Sequence, residues 1–71
     1  MKKTYAYHKP SAAGIETITT LRQAFSALDD LVAQVAPVSR EKALAQTKLE
    51  EAAMWAIKSV VCNDPESEVA L

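Results

Sequence analysis

Four residues near the middle of the chain have the makings of a binding surface. Lys48, Glu51, Trp55 and Lys58 are separated by three, four and three positions, which on a helix puts them on one face. A tryptophan between two lysines suits a stacked base with phosphate neutralised beside it, worth about 1–3 kcal/mol per base. The same residues suit equally a solvated face laced by Lys48 and Lys58 contacts to Glu51, with Trp55 covering a neighbouring subunit. Arg40 adds a cation close to Ser39, a residue type that begins helices, and the start of a helix is the unfavourable end for positive charge. Its placement makes sense if the guanidinium reaches elsewhere. Arg22 is a further candidate cation, and Thr47 can bond a helix carbonyl or present its hydroxyl at a subunit seam.

A second group lies at the N-terminus, where Tyr5, Tyr7 and His8 stand among Lys2, Lys3 and Lys9 in a segment without helical period. Tyr5 and Tyr7 alternate as in an extended strand. One ring packed as a lid over the core is one reading; a stacking arm for a planar ligand, with Lys9 beside it, is the other.

Reactive chemistry finds little to work with. His8 is the sole histidine, Cys62 the sole cysteine, and neither has a partner at metal-ligand or nucleophile–base spacing. Glu50 and Glu51 are adjacent and would diverge by ~100° on a helix. The single glycine, Gly14, cannot build a glycine-rich phosphate loop. The expectation is a protein that is not an enzyme and uses no cofactor and no metal.

The elements that must position these groups are two helices. Ser11 follows Pro10 as an N-cap, and Ile15, Ile18, Leu21, Phe25, Leu28, Val32 and Val35 recur at three- and four-residue spacings as far as Pro37. Pro37 disfavours helical geometry at Ala36, and Ser39 offers a second N-cap with Glu41 in the first turn. A connection this short makes the helices antiparallel. In the second helix Ala43, Met54, Ile57 and Val61 form one apolar line, and Ala45, Leu49, Ala52, Ala56 and Val60 another. At ~100° per residue the two span roughly half the circumference, more than one partner helix can cover. Glu50 lies among them, where it would neutralise Arg22 or Arg40 inside an assembly. Asn63, Asp64 and Pro65 end the helix, and Glu66 to Leu71 have neither period nor length for another element. Residues 1–62 thus form a hairpin domain with an N-terminal arm, and 63–71 an acidic tail expected to be disordered.

Seventy-one residues with 49% hydrophobic content and a formal net charge of −1 describe one small domain short of core. Such domains need disulfides, metal or oligomerisation, and a lone cysteine leaves self-association as the staple. Bulk charge points to no nucleic acid polymer. No apolar run approaches the roughly 20 residues of a membrane span, and the N-terminus lacks the apolar core of a signal peptide, so a soluble cytoplasmic protein is expected.

The run Tyr5-Ala6-Tyr7-His8-Lys9-Pro10, then Leu21-Arg22, then Ser39-Arg40-Glu41 through Thr47-Lys48-Leu49-Glu50-Glu51-Ala52-Ala53-Met54-Trp55-Ala56, resembles the small phage proteins carrying the helical-hairpin domain of anti-CBASS and anti-Thoeris sponges. The resemblance covers nearly the whole chain except the tail. It implies a homohexamer whose subunit seams sequester cyclic nucleotide signals, either cyclic di- and trinucleotides or cyclic ADP-ribose isomers, without cleaving them, in the host cytoplasm during infection. The family's aromatic stacking and cationic phosphate contacts can be met here by Tyr5 or Tyr7 and by Arg22, Arg40, Lys48 and Trp55. Two departures stand out: Ile57 occupies the place of an Asn that often follows Met-Trp-Ala, and the Gly-Tyr-Arg-type arm of dinucleotide sponges is missing.

The expected fold is therefore all-α, an antiparallel two-helix hairpin with an N-terminal arm that assembles into a homo-oligomeric helical bundle. The candidate ligand-binding residues are Tyr5, Tyr7, His8, Lys9, Arg22, Arg40, Thr47, Lys48 and Trp55. An alternative function is that of an oligomeric adaptor docking a host or phage protein.

Overall fold

A computed structural model describes Lys2, Tyr5, residues 7–64 and residues 68–70. Four elements follow one another: β1 (Tyr7–Lys9), α1 (Ala12–Val35), α2 (Arg40–Asn63) and β2 (Glu68–Ala70). The two helices form the expected antiparallel hairpin, and their ends are set by the residues the sequence singles out. Ser11 caps α1 by accepting a hydrogen bond from the Gly14 amide at 3.0 Å. Ser39 caps α2 by accepting one from the Lys42 amide at 3.1 Å, with Glu41 in the first turn where a carboxylate suits the helix dipole. Between them Ala36 is extended, as a residue before proline should be.

One tie across the turn is not visible in the pattern. The Lys42 Nζ donates to the Ala33 carbonyl at 2.8 Å. No basic residue lies in the last turn of α1 itself, so the neighbouring helix supplies the cation that its carbonyl end favours.

The hairpin is a single layer. Its extents are 45 × 23 × 12 Å, and the shortest is about the thickness of one helix. Ile18, at 6% exposure, is the one buried hydrophobic residue of the described core. Leu21, Phe25 and Val32 join it from α1, half-buried, and face Leu49, Ala53, Ala56, Ile57 and Val60 of α2. The contact with α1 therefore falls on the seam between the two apolar lines of α2 and leaves the outer half of each uncovered. Met54 and Ala43 stay exposed on one broad face, Ala45 and Ala52 on the other. The stripe read along α1 also drifts out of the contact, because Ile15, Leu28 and Val35 are exposed.

The tail departs from expectation. Glu68–Ala70 forms an antiparallel ladder with Tyr7–Lys9, in the register Tyr7 with Ala70, His8 with Val69 and Lys9 with Glu68. Three-residue strands are too short to show alternation, and their partners lie at opposite ends of the chain, so periodicity could not find them. Pro65, Glu66, Ser67 and Leu71 are outside the described residues. Among the described residues no helix is long and apolar enough to cross a membrane.

Ile18→Ala is expected to lower the unfolding free energy by about 2–4 kcal/mol in urea titrations at fixed protein concentration, as buried Ile-to-Ala changes do. A change below about 0.5 kcal/mol, the range of surface substitutions, would mean that the helix contact is not where the stability resides.

Candidate functional site

The face predicted around Trp55 is present. Lys48, Glu51, Trp55 and Lys58 run along the edge of α2 that points away from α1, all exposed. The Lys48 Nζ approaches Glu51 Oε2 at 3.5 Å, while the Lys58 ammonium sits 5.7 Å from the centroid of the Trp55 ring. Lys58 thus engages the ring rather than Glu51. With the indole 62% exposed and one ring face near a cation, the edge offers an aromatic surface with positive charge on both sides, chemistry that accepts a planar base and its phosphate.

Arg40 begins α2 beside the turn and is exposed, and Arg22 is exposed on α1. Neither forms an ion pair with Glu50, and the Glu50 carboxylate is exposed rather than enclosed within the subunit. Helix geometry explains this: Glu50 sits about 100° around the helix from Leu49 and about 60° from Ala53, toward the open face, at ~100° per residue.

Thr47 lines a groove of about 470 Å³ between the helices, together with Phe25, Ser26, Asp29, Gln46 and Glu50. Two carboxylates and no cation line it. Within one subunit this groove repels an anionic phosphate diester, so it is no phosphate site by itself.

The arm occupies the far end of the molecule. Tyr5 lies in a turn closed by its amide donating to the Lys2 carbonyl at 2.9 Å, and its ring is 78% exposed, which removes Tyr5 as the lid over the core. Tyr7, His8 and Lys9 form β1; the side chains of Tyr7 and His8 are outside the described residues. α1 alone is about 36 Å long at 1.5 Å per residue, so the arm at its start and Arg40 at the turn stand at opposite ends. Arm, Arg40 and the Trp55 edge do not converge inside one subunit.

Sequence reasoning missed Gly14. It is buried, and a Cβ there would stand 2.7 Å from Asp64 Oδ2 and 3.3 Å from Ser11 Oγ. The signal was available in principle, since a lone glycine in the first turn of a helix, costing about 1 kcal/mol relative to alanine, asks for a packing reason.

Among the described residues no group of three or more His, Cys, Asp or Glu could hold a metal ion. Cys62 is a half-buried free thiol.

Glu51→Gln is expected to change stability by less than about 1 kcal/mol in thermal or urea unfolding, because its lysine partner is solvent-exposed and screened. A loss of several kcal/mol would show that this edge is buried in the working protein.

Neither curated proteins nor solved structures yield a match. Residues 1–61 match the family described as Acb2/Tad1, hairpin domain. With that match spanning both helices and the arm, the chain belongs to the Acb2/Tad1 hairpin-domain family, the anti-CBASS and anti-Thoeris sponge proteins of phage.

Proposed function

We propose that this protein is a phage immune-evasion sponge that assembles as a homohexamer and holds cyclic nucleotide second messengers at the seams between subunits, without cleaving them, in the cytoplasm of the infected host. The observation that carries the reading is the scatter of its binding chemistry over a one-layer hairpin of this family. Stacking and cationic groups lie on an outer edge and at opposite ends, where single subunits cannot join them and packed copies can.

The surface area points the same way. The chain exposes 5476 Å², against roughly 4,300 Å² for a compact folded monomer of its mass. The excess is of the order of the ~800 Å² that one partner contributes to a stable interface. Leu28, Leu31 and Val35 are exposed together on the face of α1 that is flanked by Ala45 and Ala52 of α2, where small side chains let another helix approach closely.

In such an assembly, Trp55, Tyr5 and Tyr7 stack the bases, while Arg40, Arg22, Lys48 and Lys9 neutralise the phosphates. His8 and Thr47 add hydrogen bonds. Guanidinium groups match phosphate oxygens in pairs. Ile57 is half-buried against α1, so an amide at that position would be spent on packing here, and base reading falls to other residues. Sequestration without turnover follows from stoichiometric binding by side chains that include no nucleophile–base pair.

The test is recovery of ligand. Purified protein is mixed with cyclic di-AMP, cyclic GMP-AMP, cyclic tri-AMP and cyclic ADP-ribose isomers, freed of unbound nucleotide, denatured and analysed by chromatography. At least one intact nucleotide is expected in stoichiometric amount, with Arg40→Ala and Trp55→Ala each weakening its retention by about tenfold or more while the oligomer persists. Retention of none of them, or recovery of a hydrolysed product, contradicts the reading.

A further inference from the structure

Three features at one end of the hairpin join the start of the chain to its end: two tie the C-cap of α2 to the start of α1, and one pairs the tail with the arm. The Ser11 hydroxyl, while accepting from the Gly14 amide, donates to Asp64 Oδ2 at 2.5 Å. Gly14 leaves the space that the Asp64 carboxylate fills, since a methyl there would meet Oδ2 at 2.7 Å. Beyond Asp64, β2 pairs with β1 along its whole length. Asp64 and β2 both lie outside the 1–61 stretch that matches the family, while their partners Ser11, Gly14 and β1 lie within it.

We propose that Asp64 and β2 form a clasp that orders the N-terminal arm at β1, with Asp64 as its latch, and that the clasp positions the arm for nucleotide binding. The second half of the statement rests on the sponge reading above. The chemistry of the latch is specific. A serine hydroxyl has one proton to give and lone pairs to receive, so Ser11 can cap α1 and hold Asp64 at once. The carboxylate in turn sits at the positive end of the α1 dipole. An aspartate at position 11 would cap equally well but has no proton to donate and would face Asp64 with like charge. The arm held as β1 has already lost the backbone freedom that a loose arm would surrender on binding, so the clasp raises affinity without touching the ligand.

The experiment uses full-length protein and two readouts, amide hydrogen exchange without ligand and affinity for the same nucleotides. In the native protein those amides of Tyr7–Lys9 and Glu68–Ala70 that donate into the ladder, every second residue of each strand, are expected to be protected. Ser11→Asp and, separately, Val69→Pro should accelerate their exchange about tenfold or more, the scale set by losing a hydrogen bond to a charged group or part of a short ladder, with the interiors of α1 and α2 unchanged. The double change Ser11→Asp with Asp64→Ser exchanges hydroxyl and carboxylate and should restore protection, which a merely structural effect of either change would not do. Nucleotide affinity should fall by a similar factor in the single variants and recover in the double one. Unprotected arm amides in the native protein, or exchange indifferent to Ser11→Asp, would overturn the clasp. A freed arm with unchanged affinity would overturn its positioning role. If the native protein holds no nucleotide while its arm exchange follows the pattern above, the clasp stands and the sponge reading falls.

Discussion

The dominant constraint on this protein is that two helices make one layer. A helix buries a stripe only against something, and stable domains place at least two layers around a core. Here the partner of each helix is the other helix, one residue deep, and among the described residues Ile18 is the one large side chain taken almost completely from water. The rest of the apolar content lies along the rims of the contact or on the broad faces, with Val38 at the turn 94% exposed. A chain of this mass with that much wet hydrocarbon is short of the burial needed to offset its conformational entropy. Its caps, the Lys42 tie to Ala33 and the Ser11–Asp64 latch are local fastenings that fix the hairpin geometry; none of them supplies a core.

The same constraint arranges the chemistry. Because no side of the sheet of helices is closed, polar and aromatic groups with binding potential are displayed rather than enclosed. The groove inside the hairpin is lined by Asp29 and Glu50 and is electrostatically wrong for phosphate. The Trp55 edge has suitable charge but lacks a wall. A second subunit laid against such surfaces would bring both the wall and the missing charges, so burial of apolar surface and completion of a site become one event. Glu50 fits this logic as well, since a carboxylate exposed in the subunit is free to meet an arginine of another copy.

The sequence made the helices legible through features that act locally. Ser11, Pro37 and Ser39 are punctuation whose effect is confined to a few neighbouring residues, and each works in the structure as its chemistry requires. The two apolar lines of α2 were equally readable, and so was the face of Lys48, Glu51, Trp55 and Lys58. What could not be read was which part of those lines meets α1, because the seam between them is chosen by the joint fit of both helices. That choice moved Glu50 onto an open face and left Ile15, Leu28 and Val35 in water. The β1–β2 ladder was hidden for a different reason: pairing between segments some sixty residues apart leaves no trace in local spacing, and the tail's composition reads as a solvated end. Gly14 belongs to the same class, since the Asp64 carboxylate that fills its space comes from the other end of the chain, and the Lys42 tie to Ala33 depends on how the turn brings two helix ends together.

Sedimentation velocity of the purified chain over a concentration series through the micromolar range, paired with native mass spectrometry, tests the account at its root. It predicts a discrete closed oligomer, six subunits on the reading proposed above, that persists on dilution to micromolar concentration. A stably folded single subunit of 7.7 kDa across that range would contradict it, because one hairpin would then tolerate its exposed faces and no seam would exist to hold a messenger.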